Sequence, residues 1–328
     1  MVLLEIHNLT VDFRTLDGVV RAVHGVDLTV DEGEVVGLVG ESGCGKSQTC
    51  LSVPRLVHAS GTIEADAIRM DGEDLQHARE RRMRELRGDK MSMIFQEPMT
   101  SLNPCLSVGE QVAEPLVLHR DMTWKSATAR AAEMLGHVGI SDPEQRCREY
   151  PHELSGGMRQ RAMIAMALIC QPTLLIADEP TTALDVTVQA QILDLMLRLR
   201  DETGTAILLV THNLGVVAQA CDRVSVMYAG RIVEMGSVER IFASPEHPYT
   251  RGLMNSVPRV RPPDGEHGRL QPIHGTVPSL HDMPSGCPFH PRCDYAEAIC
   301  AREIPELDVM EPGHAARCHF AGRLEARG

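Results

Sequence analysis

Alternating apolar and polar positions run through residues 3 to 32 and again through residues 60 to 72. A repeat of two is typical of strands that bury one face. Turn-forming residues interrupt the two regions at Leu16-Asp17-Gly18 and at Asp71-Gly72. The pattern therefore predicts an antiparallel β layer built from both regions.

Shorter segments that are apolar throughout are typical of strands buried on both faces. Four such segments are Glu34 to Val39 and residues 173–178, 205–211 and 222–229. Residues 98 to 170 are expected to be rich in helix, and the charged run from Arg79 to Lys90, which carries both signs, predicts a solvated helix. The expected fold is α/β, with a mixed, mostly parallel core sheet, the antiparallel β layer and a helical subdomain.

The segment after the first apolar strand fits the pattern G-x-x-x-x-G-K-[ST] without a mismatch, and a helix is expected from Lys46 to Val57. The glycines let successive backbone N–H groups surround phosphates, while the helix N-terminus and Lys46 add positive charge. Ser47 offers a hydroxyl ligand for Mg²⁺. The predicted ATP-binding residues of this segment are Gly40, Glu41, Ser42, Gly43, Cys44, Gly45, Lys46, Ser47 and Gln48.

Further motifs narrow the class of nucleotide-binding protein. In chain order they are Gln96 in Ile94-Phe95-Gln96-Glu97-Pro98, the octapeptide Leu154-Ser155-Gly156-Gly157-Met158-Arg159-Gln160-Arg161, the strand-end pair Asp178-Glu179, and His212 after the strand Ala206 to Val210. Each is weak alone. Together, and in this order, they resemble the ABC ATPases over residues 1 to about 255.

The resemblance implies a chemical role for each polar side chain. Asp178 would hold Mg²⁺ through water, with Ser47 and Gln96 as further ligands. Glu179 would polarise the attacking water as general base. His212 would stabilise charge on the γ-phosphate, and Gln96 would report the state of the site to the transporter.

The octapeptide is similar to the signature sequence of that family, and a helix is expected from Met158 to Cys170. The resemblance implies that Leu154, Ser155, Gly156, Gly157 and Met158 act on ATP bound to a partner subunit, so that ATP closes a dimer. Asp185, in Ala183-Leu184-Asp185, would communicate across that dimer. Phe13 would stack on adenine, although the sequence is equally compatible with packing in the core.

Length and charge are compatible with this interpretation. The 328 residues are enough for an ATPase domain, expected at 1–250, and a smaller segment at 251–328. The formal net charge of −13 argues against a nucleic-acid partner, since phosphate neutralisation needs a basic face. No apolar run is long enough to span a bilayer. We expect a peripheral protein on the cytoplasmic face of the membrane.

The character of the sequence changes near residue 245. The segment Ser244-Pro245-Glu246-His247-Pro248-Tyr249-Thr250 begins a proline-rich arm with Pro258, Pro262, Pro263, Pro272, Pro278 and Pro284. It resembles the C-terminal extension of ATPase subunits from dipeptide and oligopeptide importers. So does Met158 in place of the more usual Gln, a variant of their D-type subunit. The resemblance implies three kinds of partner: a related F-type ATPase, two transmembrane permease subunits and an extracytoplasmic binding protein.

Four of the ten cysteines lie in the last 42 residues: Cys287, Cys293, Cys300 and Cys318. Such a short, proline-containing segment buries little apolar surface, so a metal centre would hold it together. The spacing lacks the close Cys pair usual in zinc sites, and it resembles the importer extension that carries a [4Fe–4S] cluster. Zinc, with His290, His314 or His319 as further ligands, and no metal remain alternatives.

Other functions also remain open at this stage. The same architecture would serve an importer of a nickel chelate or of glutathione, because the ATPase subunit does not touch the solute. A soluble ABC protein with a redox-sensing metal segment is a further alternative, although such proteins usually carry two ATPase domains or a long coiled coil.

Overall fold

The computed structural model describes residues 1–96, 101–181, 185–256 and 273–324. Contacts divide the chain into two compact units. We call Met1–Leu4, Val30–Val35 and Arg69–Val210 the helical unit, and Glu5–Thr29, Val36–Ile68 and Thr211–Gly328 the phosphate-loop unit. Each unit combines several stretches of chain, so the expected division into 1–250 and 251–328 stays a proposal about sequence segments.

The described residues form thirteen strands and ten α-helices. The strands are β1 Val2–Thr15, β2 Gly18–Asp31, β3 Val35–Val39, β4 Gly61–Glu64, β5 Ala67–Met70, β6 Glu73–Asp74, β7 Met91–Ile94, β8 Leu174–Asp178, β9 Ala206–Thr211, β10 Arg223–Tyr228, β11 Arg231–Ser237, β12 Asp308–Glu311 and β13 His314–Ala316. The helices are α1 Lys46–Ser52, α2 Glu80–Leu86, α3 Val108–His119, α4 Trp124–His137, α5 Pro143–Arg146, α6 Gly156–Leu168, α7 Val186–Thr203, α8 Leu214–Ala220, α9 Val238–Ala243 and α10 Pro248–Asn255.

The regions of alternating pattern form strands, as the sequence predicts. β4 pairs antiparallel with β1, with Thr10 opposite Glu64, and β5 pairs antiparallel with β6. The charged run becomes the mostly exposed helix α2, which buries only Met83 and Leu86.

In the helical unit, β8 lies between β7 and β9 and is parallel to both. All five residues of β8 and all six of β9 are buried, which explains their continuous apolar sequence. Helices α3 to α6 account for most of the described residues between 101 and 170. α3 begins with a capping box in which Ser107 and Glu110 satisfy each other's backbone N–H groups.

In the phosphate-loop unit the strand order is β12-β13-β11-β10-β3. β10 is parallel to β3, while β11 and β13 are added antiparallel. The C-terminal segment therefore extends this sheet with two strands, of which β12 is the edge. Pro258, Pro262, Pro263 and Pro272 of the proline-rich arm lie outside the described residues.

Three predicted helix boundaries were wrong, for local reasons. α1 ends at Ser52 rather than at Val57, because Pro54 has no N–H to continue the ladder and Arg55 adopts a left-handed φ of 55°. α6 begins at Gly156 rather than at Met158, because Ser155 is its cap and accepts a hydrogen bond from the Met158 N–H. α6 ends at Leu168 rather than at Cys170, because Gln171 adopts a left-handed φ of 52°.

Aromatic side chains build a core cluster beside β10. The Tyr228 ring centroid lies 4.7 Å from that of Tyr249 and 5.2 Å from that of Phe289. All three rings are buried. The chain has only five Phe and four Tyr in all, so this cluster concentrates a large share of its aromatic surface at one place.

A buried carboxylate joins β11 to the C-terminal segment. Glu234 is fully buried and accepts hydrogen bonds from the backbone N–H groups of Glu246 and His247. His314 Nε2 of β13 lies 2.9 Å from its Oε1. One side chain thus connects β11, the start of α10 and β13.

No helix within the described ranges has both the length and the apolar character required to cross a bilayer.

Replacement of Glu234 by Ala should destabilise the chain by about 3–5 kcal/mol, because it leaves the buried His314 and the N–H groups of Glu246 and His247 without their acceptor. Urea unfolding of the purified protein measures this change. Glu239→Ala, at an exposed position of α9, is the matched control and should shift stability by less than about 0.5 kcal/mol. Equal stability of the two variants would contradict the role given to Glu234.

Candidate functional site

The segment Gly40 to Ser47 forms a loop that leads from β3 into α1. Lys46 is only 5% exposed, and its Nζ donates to the carbonyl oxygens of Gly40 at 2.8 Å and Glu41 at 3.1 Å. α1 starts at Gly45 with no side-chain cap, unlike α3, α4 and α6 to α10, where a side chain accepts from the first turn. An uncapped N-terminus beside a lysine is suited to binding an anion.

Two glycines of the loop have no space for a side chain. A Cβ at Gly40 would lie 2.1 Å from the Met227 carbonyl oxygen, and one at Gly45 would lie 2.7 Å from the Ala22 carbonyl oxygen. Gly45 also has a φ of 104°, which side chains disfavour. Neighbouring backbone therefore fixes the loop at both ends.

Side chains and backbone from far along the chain also hold the loop. The Tyr249 hydroxyl accepts from the Glu41 N–H at 2.8 Å across 208 residues of sequence, and the Gly230 N–H donates to the Cys44 carbonyl at 2.9 Å. His247 in turn orients Tyr249: burial lowers the pKa of His247 to about 3, so its neutral ring accepts from the Tyr249 N–H.

Glu41 has a second partner in the C-terminal segment. The Arg292 guanidinium donates to both Glu41 carboxylate oxygens, at 2.7 and 3.1 Å. The Arg292 side chain is 5% exposed and that of Glu41 is 30% exposed. Neither Tyr249 nor Arg292 was predicted to contact the loop, although the His-Pro-Tyr-Thr motif was a signal for Tyr249.

In the helical unit, the acidic pair stands at the end of β8. Asp178 is the last strand residue and is buried, and Glu179 follows with a left-handed φ of 47°. Such backbone strain in a residue with a side chain is typical of functional positions. Gln96 Nε2 donates to Glu179 Oε2 at 3.3 Å, so the structure brings these two predicted residues together.

The signature octapeptide is joined to the same acidic strand end. Leu154 is buried, while Ser155 and Gly156 are exposed at the start of α6. Gln160, within the octapeptide, donates from Nε2 to the carbonyl oxygen of Pro180. A displacement of the signature helix would therefore reach the residue next to Glu179.

The positions of three further predicted residues do not by themselves indicate a role in ATP binding. His212 is exposed between β9 and the Asn213 cap of α8, and Phe13 in β1 is half-buried opposite Gly61. Asp185 caps α7 by accepting from the Val188 N–H at 2.9 Å. That capping role is structural, and the proposed communication across a dimer is additional to it.

Glu97, Pro98, Ala183 and Leu184, which belong to the motifs, lie outside the described residues.

The four C-terminal cysteines line a single pocket. Cys287, Cys293, Cys300 and Cys318 share it with Phe289, His290 and His319. Cys287 and Cys318 are 31 positions apart in the sequence, yet both line the same pocket. Convergence of all four on one pocket is what a shared metal centre requires.

Backbone N–H groups point at three of these sulfurs. The N–H groups of Phe289 and His290 lie near Cys287, that of Tyr295 near Cys293, and those of Phe320 and Ala321 near Cys318. Phe320 N lies 3.5 Å from Cys318 Sγ. Such donors stabilise a thiolate, whereas burial opposes it and raises the pKa of Cys293 to about 12 and that of Cys318 to about 11.

The histidines near this pocket are already engaged. His290 Nδ1 lies 2.9 Å from the Cys287 carbonyl oxygen, and His319 Nε2 lies 3.1 Å from that of Glu303. His314 pairs with Glu234 instead. Across the part of the chain that the structure describes, no three His, Cys, Asp or Glu side chains are arranged to hold one metal ion.

Two known protein families match this chain, one in its N-terminal part and one in its C-terminal part. The family described as "ABC transporter" matches residues 23–182, and the family described as "Oligopeptide/dipeptide transporter, C-terminal region" matches residues 233–300. The second match includes Tyr249, Arg292 and three of the four C-terminal cysteines.

Curated relatives match over nearly the full length. The oligopeptide transport ATP-binding protein AppD of Bacillus subtilis is 51% identical over 317 residues, 96% of each chain. The oligopeptide transport ATP-binding protein OppD of Salmonella typhimurium is 50% identical, covering 97% of this chain and 93% of its own. Among solved structures, a dimeric ATP-binding cassette in a post-hydrolysis state with ADP and Pi is similar with a TM-score of 0.65 and 27% identity, over 72% of this chain and 98% of that one.

Lys46→Ala should weaken ATP binding by roughly ten- to a hundredfold, because it removes a cation that the loop presents to the phosphates. Equilibrium titration of the purified chain with ATP measures the loss. The exposed Lys125→Ala is the control and should bind as the unmodified chain does. The nucleotide-free variant should unfold at the same temperature as the unmodified chain. If its free energy of unfolding fell by as much as its free energy of ATP binding, the lysine would have a structural role instead.

Proposed function

Because this chain belongs to the ATP-binding proteins of oligopeptide and dipeptide ABC transporters, we propose that it powers peptide import by hydrolysing ATP at a site shared with a second ATPase subunit. Its membership rests on about half-identical relatives that match along almost the whole chain. ATP binding and the link to peptide transport follow from that membership. The residues that carry out each step are our proposal.

The observation that carries the proposal is the geometry of the phosphate loop. Its backbone is held by distant residues, its helix has an uncapped N-terminus and its lysine is buried within the loop. A nucleoside triphosphate with Mg²⁺ would occupy it, with Ser47 as a metal ligand from this unit. The donors are backbone N–H groups, a lysine and a hydroxyl, which is the set that phosphate oxygens and Mg²⁺ require.

Hydrolysis needs a group that orients water against the γ-phosphate. Glu179 is the candidate, since it stands at the strand end and Gln96 donates to it. Asp178, one residue earlier, would hold Mg²⁺ through water. His212 would donate to the γ-phosphate from the loop that follows β9.

A second subunit is required because the signature acts on ATP bound elsewhere. The exposed Ser155 and Gly156 at the start of α6 offer a phosphate-facing helix terminus that a partner's nucleotide would complete. We propose an F-type ATPase as that partner, with two permease subunits and an extracytoplasmic binding protein in the complete importer. The chain would then associate peripherally with the membrane through the permease.

The transported solute does not contact this subunit. Identity to oligopeptide transport proteins supports peptides over a nickel chelate or glutathione. The peptide class is testable by identifying the ligand of the binding protein that co-purifies with the complex. Recovery of the chain from membranes without any multi-span protein would support a soluble ABC protein instead.

Glu179→Gln should bind ATP normally while hydrolysis falls by roughly two to four decades, because the variant keeps size and hydrogen bonding but loses the proton acceptor. Single-turnover hydrolysis by the assembled complex measures this half-site separately from its partner. The exposed Glu202→Gln is the control. Near-normal single-turnover rates with Glu179→Gln would assign the base to another residue.

We also propose that the cysteine pocket holds a [4Fe–4S] cluster. The donor set is suited to one: four cysteines converge, and nearby backbone N–H groups are directed at three of the sulfurs. What disfavours zinc is the sequence spacing, which lacks the close Cys pair usual in zinc sites.

When bound, the cluster would supply a rigid, positively charged centre that stabilises buried thiolates and replaces an apolar core. The chain's contribution is to collect the ligands and exclude water. Phe289 lines the pocket and also packs against Tyr228 and Tyr249. The pocket is therefore joined to the aromatic cluster beside the phosphate loop.

Cys293→Ser should remove iron and sulfide from protein purified anaerobically and make the segment after residue 251 sensitive to protease, because a ligand of the centre is lost. Metal analysis, absorption spectra and limited proteolysis measure these effects. Cys105→Ser, at an exposed position far from the pocket in sequence, is the control and should keep the metal. Colourless protein with one zinc per chain would support the zinc alternative, and unchanged proteolysis without metal would leave the cysteines without this role.

A further inference from the structure

A single acidic residue lies within the phosphate loop. Gly40 to Ser47 contains one carboxylate, that of Glu41, and one cation, that of Lys46. The triphosphate that this loop receives carries several negative charges. An unpaired carboxylate in the loop would repel it, and the repulsion would be strong because the site is partly shielded from water.

Arg292 lies where it can neutralise the Glu41 carboxylate. Its guanidinium forms a two-pronged ion pair with Glu41, and its side chain is almost completely buried. The Tyr228 hydroxyl lies 3.3 Å from its Nη1. The guanidinium carbon also lies 5.8 Å from the centroid of the Tyr228 ring and 5.9 Å from that of Phe289.

Besides its ion pair with Glu41, the Arg292 side chain is held in place by a backbone carbonyl. Its Nε donates to the His274 carbonyl at 2.8 Å. The two terminal nitrogens are therefore the ones that donate to the Glu41 carboxylate. A planar guanidinium held in this way binds a carboxylate in one orientation, which a lysine would not do. The Glu41 side chain is thereby kept against the C-terminal segment, while Lys46 donates to the backbone carbonyl of Glu41.

We propose that Arg292 is a positioning residue for ATP: it neutralises and immobilises the carboxylate of Glu41, so that the phosphate loop presents net positive charge to the nucleotide. The inference rests on the proposed function, since it concerns the same nucleotide site. It adds a residue of the C-terminal segment to a site otherwise built from the ATPase core. Arg292 directly precedes Cys293 and ends the short 3-10 turn His290–Arg292, so the segment that carries the cysteines also carries this charge.

The test is a double-mutant cycle on ATP affinity, measured by equilibrium titration of the purified full chain. Arg292→Gln removes the charge and keeps much of the side-chain volume, and it should weaken ATP binding by roughly tenfold. In a Glu41→Gln background, the same Arg292→Gln change should have little further effect, because no carboxylate is left to neutralise. Arg292→Lys should recover part of the lost affinity.

Controls separate this inference from the proposed function and from a folding defect. Arg302→Ala changes an exposed arginine of the same segment that makes no ion pair within the described residues, and it should bind ATP as the unmodified chain does. If the unmodified chain bound no ATP, the proposed function would fail. If it bound ATP and Arg292→Gln bound equally well, only the inference would fail. A loss of equal size in both backgrounds would also overturn it, since the arginine would then act through packing alone.

Discussion

A loop that binds phosphate through its backbone cannot hold itself in place. The N–H groups that bind phosphate are not available to anchor the loop, and its glycines contribute no side chains to a core. The structure meets this constraint with contacts from elsewhere. Met227 and Ala22 carbonyls close on Gly40 and Gly45, the Gly230 N–H binds the Cys44 carbonyl, and Tyr249 holds Glu41.

Phosphate binding also requires positive charge, which this chain places at the phosphate loop itself. A protein of net charge −13 binds a polyanion only if positive charge is concentrated where the phosphates lie. Lys46 is the cation within the loop, and the Arg292 pair cancels the acidic residue beside it. Burial keeps this pair effective, because buried ion pairs are screened much less by salt than exposed ones.

Local sequence patterns were sufficient for β1 to β5 and β8 to β10, for the phosphate loop and for the acidic strand end, because each depends on residues that are neighbours in the chain. They did not predict β6, β7, β11, β12 or β13. The strand bounds differ from prediction by one or two residues. Helix ends were less predictable, since Pro54 and the Ser155 cap decide them through local geometry. The contacts of Tyr249 and Arg292 could not be predicted, because they join positions 208 and 251 residues apart and no local pattern records such a pairing.

The C-terminal segment is held by the pairing of β13 with β11 and by polar and aromatic contacts. Glu234 connects β11 to β13 and to the start of α10, and Phe289 packs on Tyr228 and Tyr249. Because Tyr249 binds the phosphate loop and Phe289 lines the cysteine pocket, a change in the packing of that pocket reaches the loop through two side chains in direct contact. The segment is therefore part of the structure that supports nucleotide binding, even though none of the residues assigned to hydrolysis lies within it.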